Sequence, residues 1–330
     1  MSRDRAEAPA QQASGRRCVS APASLLLLGE YAVLEEGGLG VAIAPDVRAS
    51  AWLTGPGGGE SRAPARASAG SADSARLVCG ATPEGDVRWP GDPGLLGAVC
   101  DYLLGTVGPP PQDIAVDTSA FFRPDGRKRG FGSSASLAVA LTAVWTGFDN
   151  TPSGCDRVRR VATEAHRAAQ GGRGSGYDVA VSSLGGVVLF TGGALPRARR
   201  VELPWLPPVS LFEGHDPVAT TGAVARFHAW RETHAGEARS FLERSNELVD
   251  RFVAASAWAD ARTVVLEYRD LTLDLGRRIG VPARVEPPVP VGADGVSKAV
   301  GAGDELGVIL APESATRYEI AVAGEGLRWE

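Results

Sequence analysis

The segment Gly130-Phe131-Gly132-Ser133-Ser134 constrains this chain more than any other. Two glycines one residue apart let the backbone turn sharply and approach a bound group closely. Directly after them Leu137, Leu141, Val144 and Trp145 recur at helical spacing, which predicts a helix starting at Ser133 or Ser134. The first amides of a helix have no acceptor within it, and the helix dipole favours an anion at that end. Each such contact contributes only about 0.3–1 kcal/mol, so several amides and a hydroxyl must converge to hold a polyphosphate. Ser133 and Ser134 supply hydroxyls, and a serine beside a phosphate is placed to ligate magnesium. The same residues also fit an ordinary glycine turn with a serine cap. The loop is not of the G-x-x-x-x-G-K-[ST] type, which excludes that kinase class.

Charge sharpens the choice. The chain has a net charge of −5, which argues against nucleic acid as its main partner. An anionic ligand must then be met by a local basic cluster, and Arg127, Lys128 and Arg129 stand directly beside the glycines. A solvated charged face is the alternative. Apolar residues make up 44% and charged residues 22%, the balance of a globular protein. Cys18, Cys79, Cys100 and Cys155 are widely spaced and form no C-x-x-C pair, so neither a zinc site nor a redox motif is expected. Reduced thiols and a cytoplasmic location are the default. The run Leu25–Leu28 is too short for an export or membrane segment and reads as a buried strand.

Residues 1–17 read as a loose tail and 55–75 as a Gly/Ser/Ala-rich loop. Leu25–Leu28, Tyr31–Leu34, Val41–Ile43 and Val47–Leu53 read as strands joined by hairpins. Helices are expected at 95–104, after Ser133, and around Val158–Ala169, the last stopped by Gly171-Gly172. Strands are expected at 114–116, 185–190 and 209–212. Pro196 to Pro208 carries four prolines and reads as the domain joint. Three helices follow near 221–234, 236–255 and 257–279, then strands at 308–310 and 318–322. Without regular βαβ repeats, this mixture predicts α+β layers.

A second glycine-dense stretch runs from Ala165-His166 through Ala169-Gln170-Gly171-Gly172-Arg173-Gly174-Ser175-Gly176-Tyr177 to Asp178. A carboxylate just after such a loop can orient an acceptor group or take its proton. Phosphoryl transfer needs chiefly positioning and charge neutralisation, so a carboxylate and a nearby cation are the parts to seek. Asp178 also fits a helix cap, and His166 a packing residue.

Together these segments resemble the GHMP kinase superfamily, most closely its phosphomevalonate kinase branch. The first motif is approximated by Ala21 to Leu34, the phosphate loop by Gly130 to Ala135, and the most specific match is Ala165 to Ala180. Lys128, two residues before the first glycine, fits that branch, as do Ala219-Thr220-Thr221 and Glu286-Pro287-Pro288. The resemblance implies a two-domain α+β fold, with an S5-domain-2-like N-terminal lobe over 18–200 and a ferredoxin-like C-terminal lobe over 201–330. It implies ATP and Mg2+ between the lobes, and conversion of 5-phosphomevalonate, a small anionic substrate, to 5-diphosphomevalonate. Neither nucleic acid nor membrane is expected as a partner, and the chain is expected to be a monomer or homodimer.

In that reading Gly130, Phe131, Gly132, Ser133, Ser134 and Ala135 hold the nucleotide phosphates, and Ser134 touches magnesium. Lys128 and Asp178 are the catalytic pair. Arg48, Arg173, Ser175, Gly176, Thr220 and Thr221 are candidates for the substrate, with Lys298, Gly301, Ala302 and Gly303 closing over it. Three departures stand out. Ala23-Ser24 replaces the usual Gly-Lys of the first motif. The loop Gly301-Ala302-Gly303-Asp304-Glu305 has one glycine fewer and an added acidic group, which should repel ATP if it faces the site. The stretch from Glu286 to Lys298 is short for the family. Another small-molecule kinase of this superfamily, such as mevalonate kinase or one for a specialised metabolite, and a catalytically silent binding protein are the alternatives.

Overall fold

The computed structural model describes residues 18–54, 78–82, 85–123, 125–172, 174–214, 220–313 and 319–330. The expected tail, the expected Gly/Ser/Ala-rich loop, Arg173 and Ala219 lie outside them.

The first part of the chain runs β1 (Cys18–Pro22), β2 (Leu25–Leu28), β3 (Leu39–Ile43), β4 (Arg48–Thr54), β5 (Val78–Thr82), β6 (Gly85–Trp89), α1 (Leu95–Thr106) and β7 (Asp113–Asp117). It continues with α2 (Ser133–Thr146), α3 (Pro152–Ala169), α4 (Tyr177–Leu184), β8 (Val187–Thr191) and β9 (Arg197–Val201). The rest is β10 (Val209–Glu213), α5 (Thr220–Thr233), α6 (Ala235–Ala254), α7 (Trp258–Ile279), β11 (Val296–Val300), β12 (Leu306–Leu310), β13 (Glu319–Ile320) and β14 (Arg328–Trp329). The strands form three sheets, ordered β14-β1-β4-β7-β5-β6, β2-β3-β8-β9 and β11-β12-β10-β13. The pairings are antiparallel except β5 with β7. This is the two-lobed α+β architecture expected.

Helix α2 is the pillar of the first lobe. Ala138 to Trp145 are all buried, against β1, β4, β7, α1 and α3. A helix apolar all round belongs inside a protein, which is why its sequence shows so little amphipathic contrast. Ser136 pins its height. Its hydroxyl donates to Ala21 O at 2.5 Å and accepts from Ala49 N at 3.2 Å. Helix α3 starts as its sequence dictates: Thr151 caps Gly154 N at 3.0 Å, with Pro152 at the first turn.

A second core joins the lobes. Leu25, Leu27 and Val41 pack with Leu248, Phe252, Val264, Tyr268, Val308 and Leu310. The proline-rich stretch is therefore no free linker: it contains β9, and Val201 and Leu203 are buried in this shared core. Tyr31–Leu34 is not a strand either. Gly29 and Tyr31 take positive φ, 111° and 63°, and turn the chain into a 3-10 helix over Ala32–Leu34. Gly185-Gly186 likewise precede β8 as a turn, both at positive φ. The last residues stitch the sheets together. β13 pairs with β10, Ala323 N donates to Ala44 O at 2.8 Å, and β14 pairs with β1. Among the described residues no helix is long and apolar enough to cross a membrane.

Candidate active site

The glycine loop is built by close approach. Gly130 and Gly132 have φ of 83° and 72°. A Cβ on Gly132 would lie 2.2 Å from Ser24 Oγ and 2.9 Å from Ser24 N, so only glycine fits against the first motif. Gly132 is the N-cap of α2 and makes no side-chain cap bond, leaving the first-turn amides of the helix uncapped by any side chain. Phe131 turns inward and packs on Phe121, their ring centroids 6.3 Å apart. It anchors the loop and is not among the residues lining the cavity beside it, and Ala135 is fully buried in the core. Gly130, Gly132 and Ser134 face a cavity of about 570 Å3, a volume suited to a small-molecule site. Ser133 does not line it.

The second glycine stretch supplies the opposite wall. Arg167 holds it, donating to Gly174 O at 2.9 Å and Ser175 O at 2.5 Å. Gly176, at φ 84°, caps the short helix α4, and Asp178 sits in its first turn. Asp178 Oδ1 accepts from Val179 N at 2.9 Å, and Oδ2 lies 3.7 Å from Nδ1 of His166. The other ring nitrogen, Nε2, is 3.1 Å from Ser134 Oγ and 3.3 Å from the Gln170 amide nitrogen. Gln170, Gly171, Gly174, Ser175, Tyr177 and Asp178 line the cavity, whereas Gly176 does not.

The first motif forms the floor. Ser24 is buried and its Oγ has no hydrogen-bond partner among the described residues. Glu30 is 4% exposed and Lys298 is 1% exposed, and the two form an ion pair through Glu30 Oε1. Glu30 also lines the cavity, and its buried Oε2 has no hydrogen-bond partner among the described residues. Burial pushes the Glu30 carboxyl up from its ordinary range, and the Lys298 charge pulls it back. Tyr31 closes one side. Its hydroxyl donates to Ala302 O at 2.5 Å, and its ring lies 5.2 Å from that of Phe227 on α5. Burial, with the Glu30 charge beside it, pushes the Tyr31 hydroxyl up. Its strained backbone is the kind that persists only where surrounding contacts over-determine it.

The third loop and α5 complete the rim with Gly301, Ala302, Glu305, Thr220 and Thr221. The added acids separate. Asp304 is buried and does not line the cavity, while Glu305 does. Five segments distant in the chain thus meet at one cavity. Tertiary structure brings together Gly130, Gly132, Ser134, Ser175, Asp178, Thr220, Thr221, Gly301 and Ala302.

Other candidates lie elsewhere. Arg48 is taken up by the C-terminal segment: it donates to Ser20 Oγ at 2.6 Å and Gly326 O at 2.5 Å, and pairs with Asp46 and Glu330. Lys298 does not line the cavity itself; it sits in the ion pair, with all three of its protons used by Leu27 O, Ala299 O and Glu30. Gly303 lines a small crevice behind Glu30 and Tyr31. Lys128 is exposed, paired through its backbone with Phe122, its Nζ 5.8 Å from that ring's centroid. Glu30, Tyr31 and Gln170 were assigned no role from sequence. Glu30 and Tyr31 take partners 268 and 271 residues away, which local spacing does not announce, whereas Gln170 contacts His166 only four residues back.

The donor set fits the expected groups. Among the described residues lining the cavity, Glu30, Asp178 and Glu305 are acidic and none is Lys or Arg. Magnesium takes one or two carboxylates together with phosphate oxygens and water, and the unpartnered Glu30 Oε2 and the Ser134 hydroxyl are oxygen donors of that kind. The glycine cradle at the α2 N-terminus suits a nucleotide phosphate.

Residues 96–186 match the family described as GHMP kinases N terminal domain. The chain is 27% identical over 309 residues to a phosphomevalonate kinase of Streptomyces sp. (strain CL190), covering 80% of this chain and 79% of that one. Its fold is that of solved GHMP kinases. The Streptococcus pneumoniae phosphomevalonate kinase in complex with phosphomevalonate and AMPPNP superposes with a TM-score of 0.69 at 16% identity, covering 90% and 92% of the two chains. The Methanococcus jannaschii mevalonate kinase gives 0.64 at 13%, covering 91% and 92%. The Lin0012 protein from Listeria innocua gives 0.73 at 18%, covering 96% and 99%.

Proposed function

Taking the two-lobed GHMP kinase fold as premise, we propose that this chain transfers the γ-phosphoryl group of ATP to 5-phosphomevalonate, giving 5-diphosphomevalonate and ADP. The observation that carries the reading is the convergence of the first motif, the glycine loop, the 174–178 stretch and the 301–302 loop on one cavity. Backbone amides at the α2 N-terminus cradle the nucleotide phosphates, with Gly130 and Gly132 permitting the approach. Ser134 and Glu30 are the residues that would hold Mg2+, which when bound would neutralise phosphate charge. Asp178 orients the acceptor. An acceptor phosphate is already ionised near neutral pH, so no strong base is needed and Asp178 works by placement. An oxygen of the acceptor phosphate attacks the γ-phosphorus as the bond from that phosphorus to the bridging oxygen of ADP breaks, and ADP leaves. Lys128 is assigned to neutralise the charge on the moving group, a role that requires its exposed side chain to reach the cavity when ligands bind.

A second reading is favoured by the wall of the cavity. Three carboxylates and no described Lys or Arg suit a neutral or amine-bearing alcohol better than an anionic acid. ADP release measured with 5-phosphomevalonate, mevalonate, other phosphorylated acids and amine-bearing alcohols separates the two. Turnover with 5-phosphomevalonate supports the first. Turnover confined to uncharged or cationic alcohols overturns it, and nucleotide binding without any turnover identifies a silent binding protein.

A further inference from the structure

We propose that His166 is a positioning residue that couples the nucleotide side of this cavity to the acceptor side, a proposal that rests on the kinase reading above. Its ring sits where three helices meet. It lies in the last turn of α3, with Nε2 on Ser134 of α2 and Nδ1 toward Asp178 of α4. At 1% exposure it has no access to bulk water, so its nitrogens must be satisfied by these neighbours.

The partners set the tautomer. The Gln170 amide nitrogen, 3.3 Å from Nε2, can only donate. Nε2 is then the acceptor and Nδ1 carries the proton, aimed at the Asp178 carboxylate 3.7 Å away. The single lone pair of Nε2 is shared in a three-centre arrangement, with the Ser134 hydroxyl donating at the shorter distance of 3.1 Å and the Gln170 amide at 3.3 Å. The lone pairs of Ser134 Oγ are left to face the cavity. That is the polarity a cation or a donor requires, and the wrong one for giving a hydrogen bond to a phosphate oxygen. On the other side Oδ2 of Asp178 lies 3.7 Å from Nδ1, an electrostatic contact longer than a hydrogen bond, while Val179 N donates to Oδ1. One buried ring thereby fixes the direction of a hydroxyl on the phosphate loop and biases that of the carboxylate facing the acceptor.

Packing alone makes a different prediction, because an apolar side chain of similar size would then serve as well. The test uses His166→Leu, His166→Gln, Ser134→Ala and the double variant His166→Leu/Ser134→Ala, each checked for a cooperative melt. The affinity for AMPPNP is measured by calorimetry with and without Mg2+, alongside kcat and the acceptor KM. His166→Leu is expected to weaken Mg2+-dependent nucleotide binding about tenfold, as loss of one buried hydrogen bond does, and to lower kcat further through Asp178. Gln, whose Oε1 can accept in place of Nε2, should restore most of the nucleotide affinity but not kcat. Ser134→Ala should weaken nucleotide binding at least as much, and the double variant should bind nucleotide no more weakly than Ser134→Ala alone. Leu retaining wild-type affinity and kcat overturns the proposal, as does strict additivity of the two substitutions. Wild type that binds AMPPNP but turns over no acceptor sinks only the kinase reading, because the affinity comparisons still decide the role of His166. Wild type that binds no nucleotide sinks both.

Discussion

Lys298 and Glu30 form a buried ion pair that joins the two sheets beside the cavity, β11 on one side and the turn after β2 on the other. The ammonium is saturated, with Leu27 O at 2.9 Å and Ala299 O at 2.6 Å taking its other protons. Tyr268 packs beside it, its ring centroid 5.7 Å from Nζ, and its hydroxyl accepts from Gly29 N at 2.8 Å.

Removing one partner should therefore cost far more than removing both. Lys298→Met strands a buried carboxylate and two carbonyls, and is expected to lower unfolding stability by about 3–5 kcal/mol. The double variant Lys298→Met/Glu30→Gln should recover part of that loss. Urea titrations of the four proteins give the coupling. A loss under about 1 kcal/mol for Lys298→Met would show that the pair is not held as described.

The glycine loop predicts intolerance at one position. Gly132→Ala adds a Cβ within 2.2 Å of Ser24 Oγ at a φ of 72°. Strain of this kind costs about 1–3 kcal/mol, and relieving it moves the loop from the first motif. Weaker AMPPNP binding with a lowered melting temperature is expected, while Gly147→Ala, also at positive φ but with open space around it, should lower stability alone.

For Asp178 the expected split is between turnover and binding. Asp178→Asn keeps the side chain's shape and removes its charge, so nucleotide affinity should hold while kcat drops about a hundredfold through lost placement. Lys128→Ala, under the role assigned above, should also lower kcat. Full kcat in either variant removes that residue from the mechanism.

Arg48 belongs to the C-terminal clasp. Arg48→Ala should lower the melting temperature and leave the acceptor KM unchanged. The same clasp predicts a pH dependence. The Ser20 hydroxyl, with Arg328 and Arg48, holds the Glu330 carboxyl below its ordinary range. A carboxyl lowered on folding stabilises above its unfolded pKa, and that contribution is lost as pH falls through the folded value. The stability difference between wild type and Glu330→Gln should thus shrink below about pH 4, as followed by urea midpoints. The effect is small because the group is partly solvated.

Much of this molecule is local and was legible from residues alone. The helix after Ser133 follows from Leu137, Leu141, Val144 and Trp145, and observed α3, α5, α6 and α7 fall within a few residues of their expected spans except at the start of α3. The glycine loop and the carboxylate at Asp178 were both visible because each depends on a short run of neighbours. The same local logic erred at Tyr31–Leu34, where an apolar run reads as a strand but two positive φ values turn it.

What the sequence by itself determined was the kind of parts: an anion cradle at a helix start, a glycine-flanked carboxylate, and α+β layers. Only the tertiary structure decided which side chains face the cavity. It turned Lys298 inward onto Glu30, gave Arg48 to the C-terminal strand, buried Asp304 while exposing Glu305 to the cavity, and set His166 between Ser134 and Asp178. The physical reason is range. Helix periodicity and glycine torsions act over a few residues, whereas a buried charge or imidazole takes its partner from whatever packing brings within hydrogen-bond reach, and Lys298 and Glu30 are 268 residues apart.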